Sequence, residues 1–271
     1  MIQAKEFQLD LTKRTHIMGI LNVTPDSFSD GGHYTNIEKA VAQGKKMAAD
    51  GADIIDIGGE STRPGHTPVS AEEEAGRIIP VIEALKESLQ IPISVDTFKA
   101  SVAEQAVQAG ASIINDIWGA KREPKIAEVA ARYQVPIILM HNRKGMDYRD
   151  FIQDLKSDLL ESITIAKDAG VEDSQIILDP GIGFAKTMEQ NQYIIKELQE
   201  LTSFGYPLLL AASRKRFIGD ILDVPADQRD IGTAATTIIG IAKGARIVRV
   251  HDVKTNLEAA KVADAIYQTK L

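Results

Sequence analysis

Polar side chains that could bind a ligand stand where apolar, strand-like segments of the chain end. Asp96 and Asp179 are carboxylates at two such ends, and a carboxylate there could accept N–H donors from a flat heterocycle. Asn115 could both donate and accept along one edge of such a ring. Arg249 could stack on the ring or bind a phosphate group. Taken alone, each residue could equally be a helix cap or a member of a salt bridge.

The densest polar segment runs from Asn22 to Gly32, directly after the apolar residues 17–21. It contains an amide, several hydroxyl groups, the lone aromatic Phe28, two carboxylates including Asp30, and a glycine pair. Connections between secondary-structure elements are usually short. A long loop of this composition therefore indicates closure over a substrate.

Several cations are placed where they could meet an anionic ligand. Arg249 and His251 are two residues apart on a predicted strand, so they share one face. Arg63 follows a glycine pair in a predicted loop, and Lys215 stands near a predicted helix N-terminus. The alternative interpretation is a solvated surface side chain for Arg63 and Lys215, and a structural histidine for His251.

Two aromatic residues predicted in loops, Phe28 and Phe184, indicate an apolar pocket wall, because aromatic residues make up only 5% of the chain. Met140 ends a predicted strand and could line a slot for a ring. The alternative is that each phenylalanine packs within its own loop and that Met140 fills space in the core.

Common cofactor and nucleophile motifs are missing from the sequence. Gly181 and Gly183 lack the spacing of a dinucleotide fingerprint, and no Walker loop, HExxH pattern or nucleophile elbow is present. Any metal is therefore expected to be Mg2+ carried by substrate phosphates.

The bulk composition is that of an ordinary soluble globular protein, with 44% hydrophobic and 25% charged residues among 271. The absence of cysteine excludes disulfides and thiolate chemistry. A net charge of −7 argues against nucleic-acid binding. Because no signal peptide or membrane-spanning run is evident, we expect a cytoplasmic location without membrane association.

Eight apolar segments alternate with eight helix-like segments, without a linker, which predicts a single domain over residues 1–271. The predicted strands are 16–21, 53–57, 91–95, 112–115, 136–140, 175–178, 207–212 and 246–250. The predicted helices are 37–50, 71–89, 99–109, 124–133, 151–169, 188–203, 229–244 and 253–270.

This alternation predicts an α/β fold, specifically a (β/α)8 TIM barrel, with a doubly wound open sheet as the alternative. Residues 2–11 alternate weakly in polarity and predict a short N-terminal β-hairpin that plugs the barrel bottom. In such barrels the active site lies at the carboxyl ends of the strands. The polar strand ends are therefore expected to meet at one rim.

Two long motifs resemble those of the dihydropteroate synthases. They are residues 18–32, MGILNVTPDSFSDGG, and residues 51–65, GADIIDIGGESTRPG. Shorter matches extend the resemblance over essentially the whole chain, at residues 95–97, 114–116, 178–184, 213–215 and 249–252.

The resemblance implies an activity that joins 6-hydroxymethyl-7,8-dihydropterin diphosphate to p-aminobenzoate and releases pyrophosphate. It also implies Mg2+ as cofactor, a homodimer, and competition between sulfonamides and p-aminobenzoate. Apart from the apolar residues 231–242, which could equally pack on the barrel, the sequence shows no interface signature.

The resemblance further implies a role for each site residue. The pterin would be bound by Asp96, Asn115, Met140, Asp179, Lys215 and Arg249. The diphosphate would be bound by Asn22, Arg63, Arg249 and His251, with Asn22 beside Mg2+. The p-aminobenzoate pocket would be framed by Phe28, Thr62, Pro64, Phe184 and Arg216. The groups acting in catalysis would be Asp30, which lies near the reacting methylene, together with Arg63, Lys215 and Arg249.

Diphosphate would leave from a methylene conjugated to the ring, which favours a dissociative, cation-like step under closed loops. Arg216 departs from the serine of many relatives, although a backbone N–H at the helix start could serve the p-aminobenzoate carboxylate instead. Two alternatives share the pterin-binding carboxylates: a methyltetrahydrofolate–corrinoid methyltransferase and a catalytically silent pterin-binding paralogue. The diphosphate residues argue against the first, and intact loop motifs argue against the second.

Overall fold

Eight parallel strands form a closed barrel in the computed structural model, which describes residues 1–24, 33–61 and 67–269. The barrel strands are β3 (His16–Asn22), β4 (Ile54–Gly58), β5 (Ile93–Asp96), β6 (Ile113–Asp116), β7 (Ile137–Met140), β8 (Ile176–Asp179), β9 (Leu208–Leu210) and β10 (Ala245–Val250). Each strand pairs with the next along the chain, and β10 pairs with β3 to close the ring. The predicted (β/α)8 barrel is confirmed, and closure excludes the open sheet.

Helices follow the strands and cover the outside of the barrel. They are α1 (His33–Ala49), α2 (Ala71–Lys86), α3 (Ala100–Ala109), α4 (Lys125–Tyr133), α5 (Phe151–Asp168), α6 (Met188–Lys196), α7 (Arg216–Leu222), α8 (Asp230–Ala242) and α9 (Val253–Gln268). Two sequence predictions need correction. The predicted helix 188–203 is α6 followed by a 3-10 turn, and the helix start predicted near Lys215 belongs to the separate helix α7, for which no bounds were predicted because seven residues are too few for helical periodicity to be recognised.

The N-terminal hairpin consists of β1 (Ile2–Ala4) and β2 (Phe7–Leu9), which pair antiparallel. Its buried side chains join one apolar cluster with the inward-facing layer of the barrel. That layer contains Met18, Ile54, Ile113, Ile138, Ile177, Leu209 and Ile247. The hairpin therefore fills the lower barrel interior, as the sequence predicted.

Side chains alternate between the two faces of each strand, which determines where the polar residues lie. On β4, Ile54 belongs to the barrel interior, whereas Ile55 and Ile57 pack in the outer cluster beneath the helices. Asp56 therefore points inward, one layer above Ile54. The register pairs Asp56 with Ser94 of β5, so the two side chains lie in the same inward-facing layer. This layer is nearer the carboxyl end of the barrel than the layer of Ile54.

Within the described part of the chain, no helix combines the length and apolar character needed to cross a lipid bilayer.

Candidate active site

The carboxyl end of the barrel collects buried polar side chains from several strands. Asp96 pairs in register with Asn115, and Met140 pairs with Asp179. Arg249 of β10 points into the same space from the far side of the ring. The strand ends identified in the sequence thus meet at one rim, as the barrel fold requires.

Arg249 is the centre of this cluster. Its Nε donates to Asp56 Oδ2 and its Nη2 donates to Asp96 Oδ2, each across 2.6 Å. Asn115 Nδ2 also donates to Asp56 Oδ2, across 3.1 Å. Because two carboxylates hold neighbouring nitrogens of one planar group, the plane of the guanidinium is fixed across the barrel mouth.

Asp56 belongs to this network although it is not among the site residues predicted from the sequence. It is fully buried in the middle of β4, and its neighbours in that strand, Ile55 and Ile57, are apolar. A buried carboxylate requires a partner, because removing an ionised group from water without one is unfavourable. That requirement is the signal in the sequence that could have identified Asp56.

Three buried oxygen atoms at the mouth have no hydrogen-bond partner among the described residues: Asp56 Oδ1, Asp96 Oδ1 and Ser94 Oγ. Nearly all buried polar groups in folded proteins are paired. Unpaired acceptors that are grouped here, beside a fixed arginine, indicate the position of a ligand that supplies N–H donors.

The charged groups in the barrel mouth shift one another's pKa values. Burial raises the pKa of Asp96 to about 7, against the opposing effect of Arg249 and with the help of Asp56. Burial disfavours the charged form of Arg249 as well, but the charges of Asp56 and Asp96 outweigh it and raise the pKa of the guanidinium. Arg249 is therefore a permanent cation, whereas Asp96 titrates near neutrality.

Asp179 ends β8 at the opposite side of the mouth. Its Oδ1 accepts a hydrogen bond from the Gly181 N–H across 2.7 Å, which orients the carboxylate. Burial raises the pKa of Asp179 to about 6, although the Gly181 bond and the charge of Lys215 oppose that shift. The group is ionised at neutral pH and can accept N–H donors.

Lys215 is the residue immediately before α7, and its ammonium lies 4.5 Å from the centre of the Phe184 ring. Burial and the charge of Arg249 lower the pKa of Lys215 to about 8, while Asp179 and Asp96 oppose the shift. The ammonium thus forms a cation–π contact with the aromatic residue that the sequence placed at the pocket wall.

His251 follows β10 and contacts Ser213. The His251 backbone N–H donates to Ser213 Oγ across 3.1 Å, and that hydroxyl lies 2.9 Å from His251 Nδ1. Burial, together with the charges of Arg214 and Arg249, lowers the pKa of His251 to about 3, so the imidazole is neutral. In the tautomer in which the serine hydroxyl donates to Nδ1, the Nε2 proton is available to a ligand.

The remaining predicted site residues differ in where they lie. Asn22 ends β3 beside Gly58, at the rim, and Met140 is buried opposite Asp179. Arg216 points to solvent, with its side chain 92% exposed and 3.6 Å from Asp220, away from the cluster. The predicted residues Phe28, Asp30, Thr62, Arg63 and Pro64 lie outside the described residues.

The chain is similar in sequence and in structure to known pterin-binding enzymes. Residues 18–251 match the family model described as pterin binding enzyme. The dihydropteroate synthase of Bacillus subtilis is 58% identical over 98% of this chain and 93% of its own length. The crystal structure of dihydropteroate synthase from Clostridium difficile in the presence of pteroic acid has a TM-score of 0.95 and 50% identity, covering 97% of this chain and all of that one. The Xanthomonas albilineans enzyme with 4-aminobenzoic acid has a TM-score of 0.95 and 41% identity, covering 99% and 98%.

Proposed function

The chain belongs to the dihydropteroate synthases of the pterin-binding enzyme family, and from that premise we propose that the cluster around Arg249 is its pterin site. The enzyme is a transferase that condenses 6-hydroxymethyl-7,8-dihydropterin diphosphate with p-aminobenzoate to give 7,8-dihydropteroate and pyrophosphate. Identity of 58% to a named synthase favours this activity over the methyltransferase alternative.

The unpaired oxygens at Asp56 and Asp96 are the observation that carries the site assignment. The aminopyrimidine edge of a pterin presents N–H donors, and a carboxylate can accept such donors in pairs. Asp96 and Asp179 would accept from opposite edges of the ring, while Asn115 donates and accepts beside Asp96. An analogue without these donors would leave buried acceptors unpaired and would be rejected.

Arg249 would serve both the pterin and its diphosphate. Its hydrogen bonds to Asp56 and Asp96 use Nε and Nη2. We assign a face of the fixed guanidinium to the pterin ring and the remaining nitrogen, Nη1, to the diphosphate. The arginine would then stabilise the negative charge that develops as pyrophosphate leaves.

The other diphosphate groups would be Asn22, Arg63 and His251, while Lys215 and Met140 would bind the pterin beside them. Lys215 supplies a positive charge from the base of α7, and His251 supplies a neutral N–H at Nε2. Cations at the position assigned to the diphosphate, Arg249 and Arg63, would let a chain of net charge −7 bind an anionic substrate.

Mg2+ fits this site only as an ion shared with the substrate. Within the described ranges, no three His, Asp or Glu side chains are grouped to hold a metal. Mg2+ is commonly bound by one or two protein oxygens together with substrate phosphates. The amide oxygen of Asn22, at the rim, would be such a ligand, and the ion would neutralise charge on the diphosphate.

The second substrate would bind above the pterin, against Phe184 and the loop residues Phe28, Thr62 and Pro64. The backbone at the start of α7, where Arg216 stands, would meet the p-aminobenzoate carboxylate, and the exposed arginine would add charge. We propose a dissociative reaction in which the C–O bond to diphosphate breaks before the weakly nucleophilic amine attacks. Asp30 would lie near the reacting methylene, and loop closure would exclude water.

We also propose a homodimer, supported by exposed apolar side chains on three neighbouring helices. They are Ile221 and Leu222 of α7, Ile231, Ile238 and Ile239 of α8, and Val262 and Ile266 of α9. Ile231 is 83% exposed, which is unusual for so large an apolar side chain. A contiguous apolar patch on one side of a globular protein is typical of a protein interface.

A single domain over residues 1–271 and a cytoplasmic location complete the proposal. One barrel includes strands from both ends of the chain, since β3 pairs with β10. The absence of cysteine agrees with a reducing compartment.

The experiment that tests the proposed function measures pyrophosphate release from the pterin diphosphate with Mg2+, in the presence and absence of p-aminobenzoate. Release that increases with p-aminobenzoate and yields dihydropteroate is expected. Binding of the pterin without any release would instead support the silent paralogue. Titration with EDTA in the same assay tests the assignment of Mg2+.

A further inference from the structure

The loop that follows β8 contains a buried lysine, Lys186, that the proposed chemistry does not use. Lys186 is 8% exposed, and its Nζ lies within hydrogen-bond distance of three acceptors. They are His141 Nδ1 at 2.8 Å, the Gly181 carbonyl at 3.0 Å and the Phe184 carbonyl at 3.1 Å. Burial lowers the pKa of Lys186 to about 7, against the opposing charges of Asp179 and Asp158. The protonated form has three protons to donate, so in that form these contacts use its full donor capacity.

His141 is arranged to receive Lys186. Its Nδ1 accepts from the lysine, so its proton is on Nε2, which donates to Asp158 Oδ2 across 2.9 Å. Asp158 also binds Arg143 Nε at 3.0 Å. Burial lowers the pKa of His141 to about 4, so the ring is neutral and does not repel the ammonium. A chain of contacts therefore runs from Arg143 through Asp158 and His141 to Lys186.

The loop wraps its carbonyl groups around the lysine by means of an unusual backbone. Gly181, Gly183 and Ala185 all have positive φ, at 71°, 83° and 46°. A Cβ atom at Gly181 would lie 2.0 Å from the His141 carbonyl oxygen, so this position also requires glycine for space. In this conformation the Gly181 and Phe184 carbonyls both face the Lys186 Nζ.

The same loop carries two groups of the proposed site, and Lys186 contacts the backbone beside both. Gly181 donates its N–H to Asp179 and its carbonyl accepts from Lys186. Phe184 places its ring against Lys215 and its carbonyl also accepts from Lys186. One ammonium group therefore links the orientation of the Asp179 carboxylate to the position of the Phe184 ring.

We propose that Lys186, aligned by His141, is a positioning residue for both substrates of the synthase. It holds Asp179 in place for the pterin and Phe184 in place for p-aminobenzoate. The inference rests on the proposed function, because those two substrate assignments come from it.

If Lys186 only stabilised the fold, its replacement would lower the stability of the protein but leave the KM of both substrates unchanged. Replacing Lys186 by an apolar side chain leaves three buried acceptors without a donor, which lowers stability whether or not the lysine positions the substrates. Thermal stability alone therefore does not test the proposal. The informative measurement is the separate effect on the KM of each substrate.

The experiment compares three variants of the full chain by steady-state kinetics with each substrate varied in turn. Lys186→Met is expected to raise both KM values by about tenfold or more, since a misplacement of about 1 Å can cost up to 100-fold. Phe184→Ala is expected to raise only the KM for p-aminobenzoate, and Asp179→Asn only that for the pterin diphosphate. The proposal is overturned if Lys186→Met retains both parental KM values.

The two single-substrate variants separate failure of this inference from failure of the proposed function. If Phe184→Ala or Asp179→Asn leaves its own substrate's KM unchanged, the corresponding substrate assignment is wrong. If both variants behave as expected and Lys186→Met resembles the parent, the assignments stand and the positioning role is wrong.

A second pair of variants decides the question even if Lys186→Met does not fold. Glutamine at position 141 can accept from Lys186 through Oε1 and donate to Asp158 through Nε2, whereas leucine can do neither. His141→Leu is expected to raise both KM values, and His141→Gln is expected to restore most of the loss. Equal KM values in the two variants would contradict the alignment of Lys186 by His141.

Discussion

Arg249 Nε lies 2.6 Å from Asp56 Oδ2, across the barrel mouth and between residues 193 positions apart in the chain. The contact joins the second barrel strand, β4, to the last strand, β10. Because Asp56 Oδ2 also accepts from Asn115, one carboxylate oxygen orients both an arginine and an amide of the proposed pterin site. The geometry of this site thus depends on Asp56, whose second oxygen, Oδ1, has no partner among the described residues and is left for the ligand.

Replacing Asp56 is expected to reduce catalysis through Arg249. In Asp56→Ala the guanidinium loses one of its two carboxylate partners, and we expect kcat/KM for the pterin diphosphate to fall about 100-fold. Asp53→Ala is the matched control, because Asp53 binds Arg14 and the Ile17 N–H at the opposite end of the barrel. Steady-state kinetics on both variants, after circular dichroism confirms folding, would show whether the loss is specific to Asp56. Equal losses would contradict the role of Asp56.

Removing the Asp179 carboxylate is expected to weaken pterin binding directly. A hydrogen bond to a charged group contributes about 1.5–3 kcal/mol, so Asp179→Ala should reduce affinity by about 10- to 100-fold. Isothermal titration calorimetry with the bare pterin measures this change without any diphosphate contribution. Unchanged affinity would remove Asp179 from the site.

Arg63 is expected to act on the diphosphate and not on the ring. Arg63→Ala should therefore reduce turnover of the pterin diphosphate more than it reduces calorimetric affinity for the bare pterin. The Asp179→Ala variant provides the comparison, since its effect should be present in both measurements. An equal loss of turnover and of bare-pterin affinity in Arg63→Ala would show that the residue binds the ring or stabilises the fold.

The pH dependence of kcat/KM for the pterin diphosphate should be bell-shaped. Asp179 and Asp96, with pKa values raised to about 6 and 7 by burial, lose their negative charge as the pH falls. Lys215, with a pKa lowered to about 8 by burial, loses its positive charge as the pH rises. Activity should therefore peak between about pH 7 and 8. Lys215→Arg should flatten the alkaline limb, and a profile that stays flat from acid to alkaline pH would contradict these assignments.

The proposed dimer should dissociate when a charge enters the exposed apolar patch of α8. Ile231→Asp places a carboxylate at its most exposed isoleucine, where burial against a second copy would be unfavourable. Leu160→Asp on α5 is the matched control, because Leu160 is also an exposed apolar helix residue but lies outside the patch. Sedimentation velocity should show a dimer for the parent and the control and a monomer for Ile231→Asp. A monomeric parent would refute the dimer.

Part of the site follows from local sequence because a barrel directs all its strand ends to one rim. Asp96, Asn115 and Asp179 each terminate an apolar run, so their common location could be predicted once eight such runs were recognised. The long motifs around Asn22 and Arg63 indicated the family, and the matched relatives confirm it. These conclusions need only the order of residues along the chain.

Asp56 and Lys186 could not be assigned from the sequence. A strand buried on both faces has no polar side to show which residues point inward, so the direction of Asp56 is decided only by the register with its neighbours. Lys186 looks like any loop lysine until the fold brings His141 against it, 45 residues away. The extent of the short helix α7 could likewise not be predicted beyond its start near Lys215, because its buried face is decided by the barrel beneath it.

The sequence by itself therefore determined the barrel, the family and the residues at the rim, because strand-length apolar runs and contiguous motifs are local properties. Only the tertiary structure decided which charges are paired, which buried oxygens are left for a ligand, and which lysine supports the loop. Those properties arise from contacts between residues far apart in the chain, and such contacts exist only once the strands are in register and the ring is closed.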